Sequence, residues 1–164
     1  MRVLFLDMDG VVNSSDFFEV FSKTQYRKAR GIAKAKGRLN NTFVDMIDPK
    51  VVTLLNQIIE SCNCSVVSSS SWRTIFTPKE ITLMLKEKGF KGEIIDRTPD
   101  LMCERGDEIL EWLNKHPEVK SFVILDDGDD MGKLLPRLVQ TTFQKGLQLE
   151  HVRKVFDLFD GDVK

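Results

Sequence analysis

Cysteine, histidine and long apolar runs are all scarce in this chain, and each scarcity closes off a class of protein. The three cysteines (Cys62, Cys64, Cys103) form an odd set in a chain of 164 residues. A chain of that size builds a core without staples, so a disulfide scaffold is excluded and a reducing, cytoplasmic setting is expected. Cys62-Asn63-Cys64 hints at metal, but a closed zinc site needs a full tetrahedral set, and the only histidines are His116 and His151. Half-buried thiols are the plainer expectation. No stretch approaches the ~20 apolar residues of a membrane-spanning helix. Met1-Arg2 leads straight into an apolar run, which leaves no room for a signal peptide. The reading is one soluble domain over residues 1–164, without a membrane or an obligate protein partner.

Acidic residues are missing from one place where bases abound. Lys23, Arg27, Lys28, Arg30, Lys34, Lys36 and Arg38 follow one another without an intervening acid, on a chain whose net charge is −1. Everything outside that run is therefore acidic on balance. A concentrated positive segment suits a polyanionic partner, although a solvated basic face has the same composition.

What is present is an alternation of strands and helices. Val3–Leu6 does not alternate and reads as a strand buried on both faces. Asp48-Pro49 is an N-cap followed by a first-turn proline, and Val51, Val52, Leu54, Leu55, Ile58 and Ile59 recur at helical spacing. Cys64–Ser68 is a second strand running into Ser68-Ser69-Ser70-Ser71. Thr77-Pro78-Lys79-Glu80 is a capping box, Ile81, Met84 and Leu85 stripe the helix behind it, and Gly89 ends it. Ile94-Ile95 is a third strand. Ile109, Trp112 and Leu113 belong to a helix closed by His116-Pro117, and Phe122–Leu125 is a fourth strand ending in Asp126-Asp127-Gly128. Leu138–Thr141 is a fifth strand. Leu149, Val152, Val155, Phe156 and Phe159 stripe a last helix. This order predicts an α/β fold, a three-layer Rossmann-like parallel sheet with right-handed crossovers. The stretch from Asn13 to Ile47 fits no element and reads as an irregular insertion after strand one.

Ligands of open parallel sheets sit beyond the carboxyl ends of the strands. Asp7 and Asp9 follow strand one, the serine run follows strand two, and Asp126 and Asp127 follow strand four, so three polar clusters converge on one edge. Unit charges ~4 Å apart repel by ~4 kcal/mol at an effective dielectric near ~20. A fold that gathers such carboxylates holds a cation between them or keeps one protonated.

The pattern of apolar strand then Asp7-Met8-Asp9-Gly10-Val11, strand then Ser68-Ser69-x-x-Trp72-Arg73, and strand then Leu125-Asp126-Asp127 resembles the haloacid dehalogenase-like (HAD) superfamily. It is most similar to the small phosphatases of that superfamily in nucleic-acid repair and phage proteins. The likeness spans the chain apart from residues 13–47, which occupy the position of a cap over the active site. It implies that Asp7 is the nucleophile forming an aspartyl-phosphate and that Asp9 is general acid, then base. It implies Mg²⁺ held by Asp7, the backbone carbonyl of Asp9, and Asp126, with Asp127 and Asp130 supporting. Ser70, or its neighbour Ser69, would grip the phosphate. The lysine usual before the fourth strand is missing, and Arg105 in Glu104-Arg105-Gly106-Asp107 is its best substitute.

The implied activity is Mg²⁺-dependent hydrolysis of phosphomonoesters, on a phosphorylated small molecule, a nucleotide or a nucleic-acid end. Lys34, Lys36 and Arg38 are candidate substrate contacts, near Tyr26 and the Phe17/Phe18/Phe21 cluster. Arg73 either reaches a substrate phosphate or pairs with a local acid. Trp72, His116 and His151 read as core or surface residues. Two rivals stay open. One is a receiver that stores phosphate on aspartate, against which the Asp7-x-Asp9 spacing speaks. The other is a nucleic-acid-binding module on an idle fold, which would not need Asp9.

Overall fold

The computed structural model of the chain describes residues 1–22 and 41–162. Its centre is β1 (Arg2–Leu6), flanked in parallel by β2 (Ser65–Ser68) and β4 (Ser121–Asp126). Outside these lie β3 (Ile94–Arg97) and β5 (Leu138–Gln140), giving the all-parallel order β3-β2-β1-β4-β5. Val3, Leu4, Phe5 and Leu6 are all buried because neighbours cover both faces of the central strand. Each such side chain contributes roughly 1.5–3 kcal/mol relative to exposure, so register at β1 is held firmly.

The helices form the outer two layers. Leu4, Leu6, Val66, Val123, Leu125 and Val139 face one core with α3 (Pro49–Cys62), α4 (Pro78–Lys86) and α6 (Leu149–Gly161). Val3, Phe5, Val67 and Ile124 face the other, with Ile109 and Trp112 of α5 (Arg105–Asn114), Leu134 of the 3₁₀ segment Gly132–Arg137 and Met131 just before it. The expected caps are in place. Asp48 accepts from the Lys50 N–H at 2.8 Å, and Thr77 and Glu80 bond reciprocally.

Three expectations are corrected. Strand β2 begins one residue later than Cys64, and β5 stops at Gln140. Thr141 lies just past that end, its N–H donating to Asp126 O at 2.9 Å and its hydroxyl to the Gly10 carbonyl at 2.7 Å. The stretch 13–47 is not irregular throughout, for its described ends are helical: α1 (Ser15–Ser22) and α2 (Asn41–Met46). Ser14 caps α1 by accepting from the Phe17 N–H at 3.2 Å. The basic run with Lys34, Lys36, Arg38 and Tyr26 lies outside the described residues. Cys62 is buried, Cys64 half-buried and Cys103 exposed, and all three are free. Burial lifts the Cys64 thiol to about 12, so it stays an inert core group. Among the described residues, no helix is long and apolar enough to cross a membrane.

Candidate active site

The sheet ladder continues past the strand ends, and this places the polar clusters side by side. The Asp7 N–H donates to Leu125 O at 3.0 Å and the Ser69 N–H to Leu6 O at 3.0 Å. The residues following β1, β2 and β4 are thereby at one level of one edge. Asp7 and Asp126 are buried, Asp127 is half-buried, and one oxygen from each falls within 4.8 Å of the others. Glycine makes this approach feasible. A Cβ at Gly10, whose φ is +75°, would sit 2.4 Å from the Asp127 carboxylate.

Arg105, the first residue of α5, answers these acids. Its Nη1 donates to Asp7 Oδ1 at 3.1 Å and to the Ser69 carbonyl, and lies 3.5 Å from Asp126 Oδ2. The start of α5 is docked for this purpose. Arg105 N–H donates to Asp130 Oδ2 at 3.0 Å and Gly106 N–H to Asp130 O at 3.0 Å. A side chain at 106 would meet the Met131 carbonyl at 2.3 Å, so only glycine lets the helix end approach this closely.

The electrostatics are those of a charge cluster lacking a partner. Burial raises the Asp7 carboxyl, opposed by the Arg105 guanidinium and by a hydrogen bond from Ser70. Burial, reinforced by the Asp7 charge, pushes Asp126 up to about 7. Asp127 is also raised, mainly by desolvation. Three carboxylates against one guanidinium leave a formal surplus of two negative charges. Asp126 Oδ2, buried, has no hydrogen-bond donor. A hard divalent cation with oxygen ligands fits this set, because it supplies the missing charge and a partner for that oxygen.

Asp9 stands apart from this cluster. Its Oδ1 accepts from Asn13 Nδ2 at 2.8 Å and its Oδ2 from Trp72 Nε1 at 3.0 Å. Ser70 accepts from the Trp72 N–H at 3.3 Å, opening the 3₁₀ turn Ser71–Thr74, while the Ser69 hydroxyl is buried and unpaired. Arg73 is buried: it donates to the Ser69 and Ser70 carbonyls, each at 2.8 Å, to Pro99 O, and to Glu108 on α5. Glu108 also accepts from Leu101 N–H at 2.9 Å, so the pair ties the serine turn to the loop after β3.

From sequence alone, Asn13 and Glu108 carry no role and Trp72 reads only as a core or surface residue. Trp72 carried one signal, its place directly behind the serine run; Glu108, 35 residues from Arg73, carried none. His116 stacks on Trp112 with centroids 3.7 Å apart, and His151 Nδ1 accepts from Gln148 N–H at the start of α6. Both histidines lie outside the acidic cluster.

The family described as the HAD domain in Swiss Army Knife RNA repair proteins matches residues 3–152. No curated protein and no solved structure matches significantly. With a match over nearly the whole chain and the five-stranded parallel sheet covered on both faces, the chain belongs to this family of HAD domains and is, at the superfamily level, a HAD-type hydrolase.

Proposed function

We propose that this chain hydrolyses phosphomonoesters through an aspartyl-phosphate on Asp7, acting on nucleotide or nucleic-acid terminal phosphates. The observation that carries the reading is the convergence of Asp7, Asp126, Asp127 and Arg105 at one sheet edge, beside a second acid, Asp9, held separately from them.

HAD domains generally use Mg²⁺, and Asp7, Asp126 and Asp127 would hold it here. Bound there, the ion would neutralise charge on the phosphate oxygens. The chain's own residues account for the rest. Asp7 Oδ attacks phosphorus, the bond from phosphorus to the leaving oxygen breaks, and that oxygen takes the Asp9 proton and departs as an alcohol. Water then attacks the aspartyl-phosphate and passes a proton to the Asp9 carboxylate. The bond from phosphorus to Asp7 breaks, returning both acids to their starting states. Arg105, always charged, balances Asp7 and Asp126 throughout. Ser69 and Ser70 present their hydroxyls to the phosphate, and Ser70 its backbone N–H as well, the Ser69 N–H being held by Leu6 O.

The substrate clause draws on two supports. The matching family is described from RNA repair proteins, and residues 23–38 carry seven basic side chains without an acid. We read residues 13–47 as the cap that brings Lys34, Lys36 and Arg38 to a polyanion, within a single domain over 1–164. Asp7→Asn should lower hydrolysis of p-nitrophenyl phosphate with Mg²⁺ by about 10³-fold or more; unchanged turnover sinks the reaction. Neutralising Lys34, Lys36 and Arg38 together should weaken turnover of phosphorylated oligonucleotides about 10-fold or more and flatten its salt dependence. If oligonucleotide turnover does not change, the nucleic-acid clause fails and the phosphatase clause stands.

A further inference from the structure

The Trp72 indole N–H bonds Asp9 Oδ2 at 3.0 Å, and Ser70, at the head of the same turn, accepts from the Trp72 backbone N–H at 3.3 Å. The 3₁₀ turn that follows the serine run thus supplies a donor to the second acid. On the opposite side of Asp9, Asn13 spans its own turn. Its Oδ1 accepts from Gly10 N–H at 3.2 Å while its Nδ2 donates to Asp9 Oδ1 at 2.8 Å.

A carboxylate on a short side chain rotates broadly about its last torsion. With an N–H donor on each oxygen, the Asp9 plane is fixed. Trp72 itself is buried and cannot swing away. Phe43 of α2 lies edge-on to its ring at 4.9 Å between centroids, and Phe76 lies 6.1 Å away on the same aromatic cluster. A buried indole N–H ordinarily bonds whatever acceptor lies nearby; here the acceptor is the acid that the proposed reaction needs aimed at a leaving oxygen.

Resting on the reading of Asp9 as general acid, we propose that Trp72 and Asn13 are positioning residues that aim the Asp9 carboxyl at the leaving-group oxygen. Among the carboxylates of the site their side chains bond Asp9 alone, and Asn13 also holds the Gly10 N–H. Their contribution is therefore confined to reactions whose leaving oxygen needs a proton.

That confinement separates a positioning role from a merely structural one. Replacing Trp72 by 3-benzothienylalanine removes the N–H and keeps the ring and its aromatic neighbours; Trp72→Phe and Asn13→Ala supply independent checks. The readout is kcat/KM, which covers the steps up to leaving-group departure, measured with Mg²⁺ on phenyl phosphate and on 2,4-dinitrophenyl phosphate. Phenolate leaves poorly without a proton, whereas dinitrophenolate leaves well without one. A positioned acid is worth ~10²–10⁴-fold, so loss of one donor should cost about 10–100-fold on phenyl phosphate and less than about 3-fold on the dinitrophenyl ester. Equal losses on both esters overturn the positioning role and leave the phosphatase reading intact. If the unaltered protein hydrolyses neither ester, the phosphatase reading falls first, and this inference falls with it.

Discussion

Charged side chains gather at both ends of the sheet, yet the two ends treat their acids in opposite ways. At the amino edge, Arg137 forks onto Asp162 at 2.9 and 2.6 Å, Ser121 donates to the same carboxylate, and Arg137 also donates to Phe122 O. These hydrogen bonds, those of Arg137 first, hold the Asp162 carboxyl below the usual range. At the carboxyl edge, Arg105 faces Asp7 and Asp126 together, and burial outweighs it, so both carboxyls rise. The amino edge is a matched pair near solvent; the carboxyl edge is an unmatched cluster out of it. The proposed site lies at the end where burial leaves the acids short of compensation, which is the arrangement that functional sites favour.

Within the carboxyl edge, Glu108 is the exception, an acid with its full partner. Glu108→Gln would leave the buried Arg73 guanidinium uncompensated and should cost about 3–5 kcal/mol. In a thermal melt this lowers Tm by roughly 10 °C. A change of only a degree or two would mean that the pair is no more important than a surface bridge.

The Asp126 carboxyl provides the next contrast. Raised to about 7 from 3.8, it binds a proton in the folded state that the unfolded state releases over that range. Where the folded state binds more protons, stability falls as pH rises. The metal-free protein should therefore lose stability between about pH 4 and pH 7–8, by an amount on the order of a few kcal/mol. Asp126→Asn should flatten that slope and raise the metal-free Tm at pH 8, and Mg²⁺ should raise the Tm of the unaltered protein but not of this variant. Melts across pH with and without Mg²⁺ decide it; a Tm that climbs from pH 5 to pH 8 without metal contradicts the picture.

Asp162 should behave in the opposite sense and more weakly. Its lowered carboxyl contributes stability that is present above the ordinary value of 3.8 and is lost as pH falls through the folded value. Asp162→Asn should cost at most about 1 kcal/mol, the range of exposed pairs, and leave phosphatase turnover untouched. A marked loss of turnover would show that the two edges are coupled, and the comparison would have to be redrawn.

The elements were legible wherever local chemistry speaks for itself. Val3–Leu6, the Asp48-Pro49 start and the Thr77 capping box are short-range signals, and they set β1, α3 and α4 almost to the residue. Strand ends were less legible, because where a ladder stops depends on partners distant in the chain, as at Thr141, just past the end of β5. Within the candidate site, Asp7, Ser70, Arg105, Asp126 and Asp127 could be named because each ends or closely follows a strand, or opens a helix, at the edge where parallel sheets bind ligands. Trp72 could not, since a tryptophan behind a strand resembles core until its N–H is seen against Asp9. Nor could Glu108, whose spacing from Arg73 belongs to no element.

Order along the chain dictates the layered sheet and the edge at which its acids arrive, because periodicity and strand-end placement are local properties carried by neighbouring residues. Folding alone allots the tasks among those acids. Burial and closeness bring Asp7, Asp126 and Asp127 into a set that suits a divalent cation, and two N–H donors from separate turns set Asp9 apart. Desolvation and hydrogen-bond direction depend on what lies alongside in space, and no spacing in the chain encodes that.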